Sequence, residues 1–111
     1  MATLFEKIIA RQIPATIVYE DDETLAFRDI HPAAPVHILV VPKKPIENIT
    51  AASAEDINLL GKCLLVCRTV AEMEGLTDYR VVTNNGAGVG QSVFHLHFHV
   101  LGGRSFMWPP G

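Results

Sequence analysis

Apolar positions along this chain change their period from segment to segment, and the changes mark the elements. Leu4, Phe5, Ile8 and Ile9 recur at helical spacing. Thr3 and Glu6 stand where a capping box needs a hydroxyl and a carboxylate, so residues 3–11 are expected to form a short amphipathic helix, ended by Pro14. Two β-rich runs, 16–20 and 24–29, flank the acidic turn Asp21-Asp22-Glu23 and predict a hairpin. Residues 30–35 carry Pro32 and Pro35 and are expected to loop. Val36-His-Ile-Leu-Val-Val41 is the nearly continuous apolar run of a strand buried on both faces, and Pro42 stops it. Ser53-Ala-Glu-Asp56 then offers an N-cap and first-turn acids to a long helix over about 54–74. Its expected stripe is Ile57, Leu60, Leu64, Cys67, Val70 and Ala71, with Gly75 just past its end. Tyr79–Thr83 predicts a strand, 84–92 a Gly-rich loop and Val93–Leu101 a last strand, leaving an irregular tail. Because no strand–helix–strand unit recurs, the order fits an α+β fold: an antiparallel sheet backed by the long helix, in a single domain over 1–111.

Composition narrows the partners. The chain has 111 residues, is about half apolar and carries a net charge of −3. It lacks the basic excess of a nucleic-acid binder, the nearest basic cluster being Lys43–Lys44. One positive pocket on an acidic protein still suits a small anion. Cys63 and Cys67 lie one helical turn apart in an apolar run, which makes them core residues rather than half of a zinc knuckle. Without a disulfide framework, a reducing compartment is expected. Residues 1–10 hold no signal-peptide-length apolar stretch, and no segment approaches the ~18–20 apolar residues of a membrane helix. A cytoplasmic protein with no membrane or nucleic-acid partner is therefore expected.

The chemistry concentrates in His95, His97 and His99, which alternate with Leu96, Phe98 and Val100. On a strand the imidazoles share one face, neighbours roughly 7 Å apart, and line an exposed or cleft-facing surface while the apolar set covers a core. Imidazoles that close disfavour one another's protonation, so their pKa values are expected to separate, which is useful to an enzyme needing one neutral nucleophile and one charged acid near neutral pH. His37 joins them if its strand lies beside the last one; alone it reads as an ordinary buried or surface residue, as His31 does in its loop. Three imidazoles also suit a zinc ion, and geometry alone does not choose between metal and nucleophile. The loop Asn84-Asn-Gly-Ala-Gly-Val-Gly-Gln-Ser92 runs directly into the histidines, where glycine backbone amides can cradle a phosphate. That placement favours attack on phosphorus.

His95-Leu-His-Phe-His-Val-Leu101 resembles the His-φ-His-φ-His-φ-φ motif (φ apolar) of the histidine triad (HIT) superfamily of nucleotide hydrolases and transferases. Phe27-Arg-Asp-Ile30, Ala34–Lys44, Gly90-Gln-Ser-Val-Phe-His95 and the ending Leu101-Gly-Gly-Arg…Trp-Pro-Pro-Gly111 are similar to the Hint branch. His99 stands where uridylyltransferase relatives carry glutamine. The resemblance implies a five-stranded antiparallel sheet with one long and one short helix, and a homodimer whose sheets join into one of ten strands. It makes His97 the nucleophile that forms a nucleotidyl-imidazole intermediate. His99 contacts the phosphate and leaving group, and His95 and His37 support His97. Asp29 would bind the ribose hydroxyls, and Ile30 and Phe27, joined by Phe5 and Ile8 unless these are plain core, would wall the base. Asn84, Gly90, Gln91, Ser92 and Val93 would contact the phosphate and leaving group, and Trp108 would approach the partner's site. Asn85 and His31 depart from the familiar Hint pattern. The implied activity is cleavage of the P–N bond in a purine nucleoside 5′-phosphoramidate, releasing AMP or GMP. No cofactor is required, and zinc is not expected to serve catalysis. A non-catalytic nucleotide- or partner-binding protein and a dinucleoside polyphosphate hydrolase are the alternatives.

Overall fold

A computed structural model describes residues 2–111. Helix α1 (Leu4–Ile9) opens with the expected capping box: the Glu6 amide donates to Thr3 Oγ1 and the Thr3 amide to Glu6 Oε1. Strands β1 (Ile17–Glu20) and β2 (Thr24–Arg28) form the hairpin, with Asp21 Oδ1 accepting from the Glu23 and Thr24 amides across the turn. Strand β3 (Val36–Pro42) follows, then a 3-10 turn (Ala54–Asp56), helix α2 (Ile57–Met73), strand β4 (Tyr79–Val82), a second 3-10 turn (Ala87–Val89) and strand β5 (Phe98–Gly102). The five strands lie in the order β1-β2-β3-β5-β4, each pair antiparallel.

Alternation sorts side chains to two faces. Ala26, Ile38, Val40, Leu96, Phe98 and Val100 meet α2, while Leu25, Phe27, Leu39 and Val41 meet Phe5 and Ile8 of α1. The short α1 covers only part of its face, and a cleft remains beside it. Gly75 closes α2 at φ +73°, a left-handed conformation that costs glycine nothing.

Two expectations need correction. The buried stripe of α2 is Cys63, Val66, Cys67, Val70 and Ala71, whereas Ile57 and Leu64 are 66% and 52% exposed. Leu64 sits about 100° around the helix from Cys63, so one strip of core holds one of them and turns out the other. The last strand is also shorter than its alternation predicts. Residues 93–97 form no ladder, because Val40 pairs with Phe98 and the next positions would face Val41 and Pro42. Proline has no N–H to continue the pairing. The Leu96 amide donates to Ile46 O instead, at 2.6 Å.

Candidate active site

The four histidines of the α1 face occupy a depth series. His37 and His99 come from adjacent strands, and His97 and His95 from the unpaired stretch just before β5. His95 is buried at 1% exposure, so it does not face the cleft as its alternation predicts; α1 and Phe5 cover it. One of its nitrogens, Nε2, lies 2.7 Å from Pro42 O. Phe5 packs edge-on against His97, ring centroids 4.9 Å apart.

Fixed backbone partners assign the protons. His97 Nδ1 lies 2.7 Å from His95 O; a carbonyl only accepts, so Nδ1 carries the hydrogen and Nε2 keeps its lone pair. The Ala33 amide donates to His37 Nδ1 at 2.9 Å, so that nitrogen is bare and His37 Nε2 is protonated. His37 Nε2 then donates to His99 Nδ1 at 2.8 Å, which leaves the proton of neutral His99 on Nε2. His97 and His99, centroids 5.1 Å apart, thus offer one lone pair and one N–H to the same cavity.

Burial lowers the pKa of His37, His95, His97 and His99, because desolvation penalises the charged ring. His99 falls furthest, to about 4, with His97 and His37 adding to the effect of burial. All four shifts run downward, so the empty cluster is neutral as a whole at neutral pH.

The cavity beside these rings measures about 370 Å³, within the usual range of small-ligand sites. Its deeper wall is apolar (Phe5, Ile8, Ile13, Phe27, Leu39), and Asp29, Ser92, His97 and His99 stand at its polar end. Phe5 and Ile8 belong to core and cavity alike. Ile30, 81% exposed, forms the lip with His31, which sequence reasoning had set aside. Asp29 Oδ1 accepts from the His31 amide at 2.8 Å and Oδ2 lies 3.4 Å from His37 Nε2, leaving lone pairs for further donors.

The Gly-rich loop differs from the expected cradle. Only Ser92 and Val93 reach the cavity wall; Asn84, Gly90 and Gln91 do not. Amides of Val89, Gly90 and Gln91 donate to carbonyls within the loop itself. Gln91 is a buried bracket: Oε1 accepts from the Gly86 amide at 2.8 Å, and Nε2 donates to Glu47 O at 2.8 Å and Val93 O at 3.2 Å. A glutamine after the last glycine of such a loop was the one signal of that role.

Zinc fits the donor set poorly. His95, His97 and His99 do not converge; among the described residues the group that does is Asp29, His37 and His99, with ligand atoms within 4.8 Å of one another. A metal on His37 Nε2 would move its hydrogen to Nδ1, against the Ala33 N–H already pointing there.

With this geometry in place, the likenesses to known proteins acquire meaning. The HIT domain pattern matches residues 10–106. This chain belongs to the HIT family. It is 61% identical over 110 residues to an uncharacterized HIT-like protein of Synechococcus elongatus, covering 98% of this chain and 96% of that protein. A maize relative named a 14 kDa zinc-binding protein is 52% identical over 98% of this chain and 88% of its own. A solved HIT family hydrolase of Legionella pneumophila superposes with a TM-score of 0.96 at 48% identity, covering 99% of this chain and all of that one. Among the described residues, no helix is long and apolar enough to cross a membrane.

Proposed function

We propose that this HIT protein hydrolyses purine nucleoside 5′-phosphoramidates, releasing AMP or GMP and an amine. One observation carries the reading: an unprotonated His97 Nε2 beside a protonated His99 Nε2, at the polar end of an apolar cavity that has Asp29 along its side. The base lies between Phe27 and Ile30 with Phe5 and Ile8 behind it, and the ribose hydroxyls donate to Asp29. His97 Nε2 bonds to phosphorus as the P–N bond breaks, its electron pair leaving with the amine nitrogen. Water then attacks phosphorus, the bond to His97 breaks, and the nucleotide departs. The His99 N–H hydrogen-bonds the phosphate or the leaving nitrogen where negative charge develops. A cluster that is neutral when empty gains proton affinity beside an anionic phosphate, so a proton taken up with the substrate is available to the amine. The naming of the Legionella relative as a hydrolase supports turnover over mere binding. The second chain of a homodimer, and the approach of its Trp108 to the cleft, belong to the same proposal.

The test is intact mass of the wild type and of His99→Ala after brief incubation with a fluorogenic adenosine phosphoramidate, with release recorded alongside. A gain of one AMP mapping to His97, with wild-type turnover unaffected by chelator, is expected. Nucleotide binding without adduct or turnover would replace hydrolysis by sensing, and cleavage confined to dinucleoside polyphosphates would move the substrate class.

A further inference from the structure

The proton arrangement at His37 and His99 turns on one backbone amide in a loop, and that loop is held by the chain's tail. Residues 31–35 contain no helix or strand, yet the Ala33 N–H fixes which nitrogen of His37 is bare. Two contacts from beyond β5 pin this loop. Gly103, at φ +90°, lies against Pro35, where a Cβ would come within 2.9 Å of the Pro35 Cβ. Arg104 Nη2 donates to Ala33 O at 3.0 Å and Nη1 to Ser105 O at 2.9 Å. The guanidinium is itself seated on the Phe106 ring at 4.1 Å, with Arg80 on the same ring at 5.1 Å and donating to Met107 O. Its donors thus go to backbone carbonyls and its face to an aromatic ring, which fixes its direction.

We infer that Arg104 is a positioning residue: by holding the Ala33 carbonyl it aims the Ala33 amide at His37 Nδ1, and so sets the His37 tautomer that keeps the His99 proton on Nε2. The inference rests on the phosphoramidase reading for its kinetic consequence alone; the tautomer it assigns does not depend on any substrate. Free of the clamp, residue 33 can rotate its amide away, and His37 Nδ1 becomes able to carry the proton. His37 Nε2 then accepts from His99 Nδ1, and His99 meets the cleft with a lone pair where it had an N–H. A site with two lone pairs and no donor still binds and still attacks, but it no longer assists a departing amine.

Arg104→Ala and Arg104→Lys are compared with the wild type in two ways. Long-range 1H–15N correlation reads the His37 tautomer directly. Steady-state kinetics compare an adenosine phosphoramidate of a basic amine with adenosine 5′-(p-nitrophenyl phosphate), whose leaving group needs no donor. The wild type shows His37 protonated on Nε2 alone, and Arg104→Ala shows both tautomers. In Arg104→Ala, kcat for the amine falls about tenfold, a modest part of the 10²–10⁴ that a positioned acid or base supplies, with KM and aryl-ester turnover within about twofold. Arg104→Lys, which keeps a donor for Ala33 O, restores the tautomer and most of the amine kcat. An unchanged His37 tautomer in Arg104→Ala, or equal losses on both substrates, overturns the inference. A wild type that turns over neither substrate defeats the phosphoramidase reading, while the tautomer comparison still decides the role of Arg104.

Discussion

The bare Nε2 of His97, which the proposed mechanism uses as nucleophile, is set by a hydrogen bond from Nδ1 to the carbonyl two residues before it. The partner is backbone, so no side-chain substitution elsewhere supplies or removes it. Replacing the ring is then the clean perturbation. His97→Ala is expected to lower phosphoramidate turnover by at least about 10³-fold, as loss of a covalent nucleophile does. AMP binding, measured by calorimetry, should survive, because the apolar cavity wall and Asp29 are untouched. Turnover close to wild type would remove His97 from the nucleophile's role. Acid dependence follows from burial. His97 titrates below its ordinary value of 6.5, so its lone pair persists to lower pH than that of a free imidazole. For adenosine 5′-(p-nitrophenyl phosphate), whose leaving group needs no proton, the profile of kcat/KM, which reports the free enzyme, should stay flat from neutrality down through 6.5 and fall only below it. A limb centred at or above 6.5 would mean that the nucleophile is solvated.

Among the elements, those specified by near neighbours were legible and those specified by distant partners were not. Thr3 and Glu6 predict the start of α1 because a capping box is made within four residues. The face of each histidine was also legible, since Leu96, Phe98 and Val100 do enter the α2 core. The end of pairing was not, because it depends on Pro42, more than fifty positions away from the histidine run. Gly86 to Gly90 read as a phosphate cradle since glycine permits it; that the loop instead bonds to itself depends on Gln91 reaching Glu47. This bracket yields a prediction. Gln91→Leu removes the hydrogen bonds to the half-buried Gly86 amide and to the Glu47 carbonyl, whose groups water can still reach, at about 0.5–1.5 kcal/mol for each bond lost. Urea unfolding should show a loss of about 1–3 kcal/mol, and KM should rise as Ser92 and Val93 lose their footing. Stability within 0.5 kcal/mol of wild type would make the loop self-supporting.

At the scale of the whole molecule, the same α2 residues that miss the core argue for a second chain. Ile57, Leu64, Leu65 and Met73 stand exposed on α2, and Tyr79 and Val81 on β4, which ends the sheet with an unpaired edge. Open strand edges and contiguous apolar surface are features that isolated chains avoid. Trp108 and Met107, in the tail beyond β5, are each more than 80% exposed. The proposed dimer would pair two β4 edges antiparallel about a two-fold axis, satisfying the edge and continuing the five strands into ten. A charged substitution separates this arrangement from a solitary chain. Leu64 is half exposed, so in a monomer Leu64→Glu should change unfolding stability by no more than about 0.5 kcal/mol and leave sedimentation as it was. In the dimer it places two carboxylates, one from each copy, on an apolar interface. Sedimentation velocity should then show the wild type at twice the chain mass and Leu64→Glu at one. Val81→Asp, on the pairing edge itself, should do the same. If both variants sediment like the wild type, the apolar face of α2 and the edge of β4 are not where two copies meet.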